Sequence, residues 1–150
     1  METPQLLLSN QVCFPIYSAS RLITKAYTPH LNKLGITYPQ YLVLIVLWED
    51  DNVTINHISE KLRLNTNTLS PLLKRMEKLE ILNRNRSLKD ERSVIIQLTQ
   101  KGKDMQTEAA CIPEQLTDMF LTEDIQLEDI LQLKEVLNQW IDVLSKEKKQ

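Results

Sequence analysis

The 150-residue chain holds only two glycines and two cysteines, and its formal net charge of −2 shows no overall positive excess. Scarce glycine beside abundant Leu, Lys, Glu and Gln argues for a mostly helical chain. There is no glycine-rich phosphate loop and no nucleophile–base–acid order, so these enzyme classes are excluded. Two cysteines do not make a disulfide framework, which leaves a reactive thiol or an inert one as the readings for each. His30 and His57 stand alone, without the Cys, His or carboxylate spacing of a metal site, and no metal or other cofactor is expected. The longest apolar run, Tyr41–Trp48, is too short to span a bilayer. Leu6–Leu8 lacks the basic flank and the length of a signal-peptide core. A cytoplasmic chain is therefore expected, long enough to form one domain, 1–150, with a real core.

The net charge conceals a strong segregation. Residues 61–103 hold eleven Lys/Arg against four Asp/Glu, a net of +7, whereas residues 104–147 hold two against eleven, a net of −9. A basic block of this kind is the electrostatic footprint of a polyanion-binding surface, and the whole-chain balance misses it. Within the block, Leu64–Leu98 reads as a helix, a turn and two short strands, Asn83–Ser87 and Ser93–Leu98, around the tip LKDER. Leu69, Leu72, Leu73, Met76 and Leu79 recur at helical spacing, and Asn67, Ser70, Lys74, Arg75 and Lys78 take the opposite face. A polar and basic helix followed by a basic hairpin is how a winged helix-turn-helix meets DNA, the helix in the major groove and the hairpin on the backbone or minor groove.

The rest of the chain supplies the frame. A first helix is expected over about 10–27, where Val12, Ile16, Ala19, Ile23 and Ala26 step by 4, 3, 4 and 3 as a packing seam. Pro15 is awkward inside it, so the helix either starts near Phe14 or is distorted there, and Pro29 ends or kinks it. In both cases Cys13 falls at or just before the helix N-terminus. His30–Gly35 makes a short return. Thr37 caps a second helix, Tyr38 to about Glu49, apolar all round and hence buried. Val53–Ile55 offers a short strand, and Thr54 caps a third helix over 55–63 with Ile58 and Leu62 inward. Thr99 caps a helix after the hairpin that Pro113 interrupts. Thr122, followed by Glu123 and Asp124, starts the last helix, whose Ile130, Leu133, Leu137, Trp140 and Leu144 form a second seam. Lys146–Gln150 reads as a frayed basic tail. The fold class expected is mainly α: a winged helix-turn-helix core at about 37–99, with long helices at about 9–34 and 100–146 pairing into an intertwined homodimer.

Four stretches in order, NQVCFPIYSASR at 10–21, ITYPQYLVLIVLWE at 36–49, LSPLLKRME at 69–77 and DERSVIIQLT at 90–99, resemble the MarR family of dimeric winged-helix regulators. More narrowly the chain is similar to the OhrR-type branch, which senses organic hydroperoxides. The resemblance runs from roughly Ser9 to Leu144. It implies that Cys13 is the peroxide-reactive thiol, that Tyr27 and Tyr38 hydrogen-bond its sulfur across the dimer, and that Tyr17 is a third pocket tyrosine. It also implies that Asp90 helps orient Arg92 for the minor groove, and it makes Cys111 a possible resolving cysteine. The chain departs from the pattern at Pro15 and at Asn65, Thr66 and Asn67, where these regulators commonly carry Asp-Ser-Gly.

The chemistry of these residues agrees with that role. A thiolate is the form that attacks a peroxide, and a helix N-terminus and phenol donors favour it. Apolar neighbours Val12, Phe14 and Ile16 favour an organic hydroperoxide. Attack yields a sulfenic acid that condenses with a second thiol, either Cys111 or a small cellular thiol. Toward DNA, Lys74, Arg75 and Lys78 neutralise phosphates, and Asn65, Asn67, Thr68 and Ser70 are placed to read base edges of a pseudo-palindromic operator. Arg92 is the residue for the minor groove. Arg84 and Arg86 are either phosphate contacts or a solvated strand face. The function expected is a repressor released when Cys13 is oxidised, not an enzyme and not tied to a membrane. The other readings are a regulator that answers a small aromatic ligand and, of a different class, a thiol peroxidase. The lack of a thioredoxin-like βαβ pattern argues against the last.

Overall fold

A computed structural model describes residues 3–90 and 92–146, which fall into two compact units, 3–112 and 113–146. The first unit opens with two single 3-10 turns, Pro4–Leu6 and Leu8–Asn10. It continues with α1 (Cys13–Lys33), α2 (Tyr38–Glu49), β1 (Val53–Thr54), α3 (Ile55–Leu62), α4 (Thr66–Lys78), β2 (Leu82–Arg86), β3 (Val94–Leu98) and α5 (Gln100–Ala109). Helix α6 (Ile112–Phe120) starts at its edge, and α7 (Leu127–Lys146) lies in the second unit. The chain is mainly α, with one small sheet, as the composition implied. Among the described residues no helix is long and apolar enough to cross a membrane.

The boundaries of α1 differ from the sequence reading, and both prolines explain why. Of the two placements offered by the sequence the helix takes the start near Phe14: it begins at Cys13, so Pro15 lies in the first turn, where its missing N–H has no intrahelical acceptor to lose. Pro29 does not end the helix; α1 runs through it to Lys33. An interior proline costs on the order of 3 kcal/mol, and the turn beyond it is held by Leu31, 2% exposed in the core. Gly35, at φ 68°, then closes the helix while Ile36 donates back to the Leu31 carbonyl at 3.1 Å.

Helix α2 is central. Thr37 precedes it, and the Thr37 N–H donates to Oε1 of the buried Gln40 at 2.9 Å. Tyr41, Val43, Leu44, Val46 and Leu47 are all buried, as a helix apolar on every side requires. Thr54 caps α3 by accepting the His57 N–H at 3.1 Å, so β1 stops at Thr54 and Ile55 is already helical. The three strands pair antiparallel in the order β1-β3-β2, with Val53 opposite Ile96 and Leu82 opposite Leu98. Strand β2 lies one residue earlier than the sequence reading, and β3 starts one residue later and ends at Leu98 as expected, because Arg86 pairs with Val94 and leaves 87–93 as the tip.

Ile58, Leu69, Leu72, Leu73, Met76, Ile81, Leu82, Ile96 and Leu98 form the core under this sheet. Leu79, placed on the same stripe by spacing, is exposed because α4 ends at Lys78 and Leu79 leaves the helical track. After the hairpin, Thr99 accepts the Gly102 N–H at 3.1 Å and starts α5. The helix break falls at Ala110–Cys111, two residues before the proline expected to cause it, and Pro113 sits in the first turn of α6. In the second unit Thr122 does not cap α7. Its hydroxyl accepts the Asp124 and Ile125 N–H groups in a turn, and α7 starts five residues later with Glu128 and Asp129 as its first-turn acids. Asp129 accepts the Gln126 N–H at 2.8 Å. No described residue of α7 is buried. Past Lys146 the expected frayed tail lies outside the described residues.

Candidate functional site

Two groups of side chains stand out, and both lie in the first unit. Cys13 is an exposed free thiol in the first turn of α1. Fourteen residues further along the same helix, Tyr27 meets Tyr38 of α2, ring centroids 4.8 Å apart and tilted by 52°. Tyr41 completes the cluster at 5.7 Å from Tyr27 and 6.4 Å from Tyr38, and its other side meets Trp48 edge-on at 6.3 Å. Tyr41 was read from the sequence only as part of an apolar run. The signal for its role was the three-residue step from Tyr38, which puts both rings on one helix face. Burial holds the Tyr27, Tyr38 and Tyr41 hydroxyls above their ordinary pKa of 10.0, and mutual repulsion adds to this for Tyr27 and Tyr41. All three are thus protonated donors at neutral pH.

Within one chain the cluster and the thiol are apart. At 1.5 Å rise per residue, Cys13 and Tyr27 are separated by about 21 Å along α1. Tyr17, one turn from Cys13, does not join the cluster either: it is 62% exposed, with the Arg21 guanidinium 5.5 Å from its ring centroid. Cys111, the other free thiol, is exposed in the break after α5.

The second group is the basic face. Asn65 caps α4 by accepting the Asn67 N–H at 2.8 Å. Asn67, Thr68, Lys74, Arg75 and Lys78 are exposed and Ser70 is half-buried, as the periodicity required. Pro71 lies in the second turn of α4, so the Asn67 carbonyl one turn back has no intrahelical N–H opposite it. Between α3, the start of α4 and β3 lies a cleft of about 200 Å³, lined by Asn56, Thr66, Ser70, Arg92 and neighbours, with no carboxylate among the described lining residues. Arg92 thus stands beside the helix expected to read bases.

The hairpin tip is prebuilt. Ser87 N–H donates to the Ser93 carbonyl at 2.8 Å, and Ser93 N–H to the Asp90 carbonyl at 2.9 Å. The Ser87 hydroxyl accepts the Lys89 and Asp90 N–H groups. Asp90 accepts the Arg92 N–H at 3.0 Å and the Ser93 hydroxyl at 2.8 Å. These bonds, Ser93 first and Arg92 second, hold its carboxyl below the usual range. Asp90 therefore acts on Arg92 through the backbone. Ser87 and Ser93 were missed in the sequence, although Ser and Asp at steps of three are turn-building chemistry.

Arg84 and Arg86 separate. Arg84 turns toward α4, with its N–H on Glu77 Oε1 at 3.1 Å and its guanidinium 3.7 Å from Oε2, its side chain only 19% exposed. Arg86 is exposed. The face is tied to the rest of the unit by Asp51, which accepts the Leu98 and Asn52 N–H groups at 2.8 Å each and faces Lys103 at 3.8 Å. It is also tied by the first turn of α5, where Thr99 and Lys101 donate to the Glu80 and Leu79 carbonyls, both at 2.7 Å.

Residues 25–108 match the family described as transcriptional regulator SarA/Rot. The chain is 44% identical over 137 residues to the organic hydroperoxide resistance transcriptional regulator of Bacillus subtilis, covering 91% of each chain. Reduced AbfR bound to DNA superposes with a TM-score of 0.79 at 34% identity, covering 99% of this chain and 100% of that one. Disulfide-formed AbfR gives 0.63 at 38% identity, covering 92% and 95%. AbfR is a protein of Staphylococcus epidermidis. These relatives are regulators of transcription, not enzymes. By its matched region, its whole-length relatives and its winged helix, the chain belongs to the SarA/Rot-type MarR family of winged-helix transcription regulators.

Proposed function

We propose that the chain works as a homodimer that binds a pseudo-palindromic double-stranded operator and represses from it until an organic hydroperoxide oxidises Cys13. The observation that carries this reading is the separation of the thiol from the tyrosine cluster. About 21 Å of continuous helix keeps Cys13 from the Tyr27 and Tyr38 of its own chain. A second copy laid along α1 brings its own phenol donors to that thiol. The exposed apolar residues of α1 and α7 support such pairing: Phe14, Ile16 and Leu22 on one, with Val12 just before it, and Leu133, Trp140 and Leu144 on the other. Exposed apolar side chains collected along a helix are the kind of surface that pairs with another copy. In this reading residues 37–99 meet DNA, with Asn65, Asn67, Thr68 and Ser70 on bases, Lys74, Arg75, Lys78 and Arg86 on phosphates and Arg92 in the minor groove. Helices at about 9–34 and 100–146 hold the dimer.

The Cys13 thiolate attacks the distal oxygen of the hydroperoxide. An S–O bond forms, the O–O bond breaks, and the alkoxide takes a proton to leave as an alcohol. The resulting sulfenic acid condenses with a second thiol, releasing water and forming a disulfide. The second thiol is Cys111 of the other copy or a small cellular thiol. Closing either disulfide alters the α1 pairing and with it the spacing of the two wings. AbfR is known reduced on DNA, overoxidised on DNA and disulfide-formed, and this range supports a reading in which the disulfide, not oxidation of the thiol alone, releases the operator.

The test selects duplexes from a randomised library with the reduced protein, then adds cumene hydroperoxide to wild type and Cys13→Ser. Release by wild type that is lost in Cys13→Ser is the expected result. Release undiminished by the substitution sinks the thiol mechanism. Cys111→Ser, run on a non-reducing gel, separates the two disulfide partners: a dimer-sized band lost in this variant assigns the role to Cys111.

A further inference from the structure

Leu88 is the anomaly of the hairpin. It is 104% exposed, an apolar side chain held fully in water at the tip of β2–β3. Single exposed leucines are ordinary on protein surfaces. This one differs in what surrounds it. The backbone on either side of it is tied by the Ser87, Asp90 and Ser93 bonds, which hold the side chain outward. The tip holds Lys89 and Arg92 against two acids, and Arg86 at the end of β2 adds a third cation beside it. One of these acids, Asp90, has both carboxylate oxygens engaged in the turn. Leu88 also borders an open cleft of about 540 Å³ that carries Asn52, Asn85, Arg86 and Lys89, with no carboxylate among the described residues that line it. An apolar point that shares its cleft with Arg86 and Lys89 fits a surface that is anionic outside and apolar within. A DNA minor groove has that build, with phosphates on its rims and sugars and base edges on its floor.

We infer that Leu88 is an apolar wedge that enters the minor groove beside Arg92 and packs against or between base steps, making it a determinant of operator choice. The inference rests on the DNA-binding reading above. A wedge discriminates by how easily a step unstacks, so it favours pyrimidine–purine steps under the wing without any hydrogen bond to a base.

The test uses the reduced full-length chain and randomised duplexes of about 30 base pairs, long enough for two half-sites. Wild type, Leu88→Ala, Leu88→Met and Arg92→Ala are compared on the selected sequence over a range of salt. Leu88→Ala is expected to lose about tenfold in affinity with an unchanged salt slope, because no charge is removed. It should also lose the preference at the wing step. Leu88→Met restores both. Arg92→Ala, in contrast, lowers the slope by about one. 2-Aminopurine placed at that step brightens with wild type and not with Leu88→Ala. Thermal stability should not move, since Leu88 packs on nothing. If Leu88→Ala binds within about twofold of wild type, with the same enriched sequences and the same 2-aminopurine signal, the wedge is refuted and the DNA reading stands. If wild type enriches no sequence and binds no duplex, both fall.

Discussion

Gly102→Ala is a sharp test of how the reading face is held. Gly102 is the third residue of α5, and its own carbonyl accepts the Trp48 indole N–H at 2.9 Å. A methyl group there would overlap the Ile81 carbonyl oxygen and lie 2.9 Å from Leu98 Cδ2. The first is backbone at the end of α4 and cannot rotate away, so α5 and the α4–β2 junction must part by on the order of 1 Å to regain ordinary contact. Overpacking of this kind costs about 1–3 kcal/mol, toward the upper end when backbone is struck. Alanine returns about 1 kcal/mol of helix propensity over glycine. The net expectation is a loss of about 1–2 kcal/mol, or roughly 2–8 °C in Tm for a chain of this size. Urea and thermal unfolding of both proteins at one concentration measure it. A Gly102→Ala variant as stable as wild type, or more stable, would refute the close approach, because propensity alone predicts stabilisation.

Other outcomes follow from single contacts. Arg84→Ala should lower stability by about 1 kcal/mol, a modest figure for a half-buried pair, while leaving the salt slope of DNA binding in place. Arg86→Ala should do the reverse, lowering the slope by about one at constant stability. The Asp90 carboxyl is held below its ordinary range, so the bonds of the tip contribute fully above the unfolded carboxylate value and are lost as pH falls through the lowered folded one. A carboxyl carbon titration by NMR that places Asp90 at or above an unstructured aspartate would contradict the tip geometry. Tyr27, Tyr38 and Tyr41 are held above 10.0, so their contribution is complete below that pH and lost as pH rises through their folded values. Phenolate absorbance should therefore develop later in the native chain than in the urea-unfolded one. Coincident curves would count against the buried cluster.

Much of this architecture was present in the order of residue types. Helices α2, α3 and α4 and the hairpin could be read from local signals: Thr37 and Thr54 as caps, an apolar run too long to be one face, and a leucine stripe opposite amides and cations. The segregated charge pointed to a polyanion although the chain total did not. Where the reading slipped, the competing effect was tertiary. Pro29 is a breaker by local rules, yet Leu31 in the core carries α1 past it. Leu79 lies on the stripe by count, but the helix ends before it. Thr122 has every mark of a cap and serves a turn instead.

What the chain determined by itself is therefore periodicity, capping and charge, because each acts over a few residues. What only the tertiary structure decided is which distant groups meet. It turned Arg84 onto Glu77 and away from the face Arg86 shares. It drew Tyr41 into the cluster with Tyr27 and Tyr38. It also set that cluster a helix length from Cys13. The distance follows from the rise of a continuous helix, and the helix is continuous only because its far end is packed into the core.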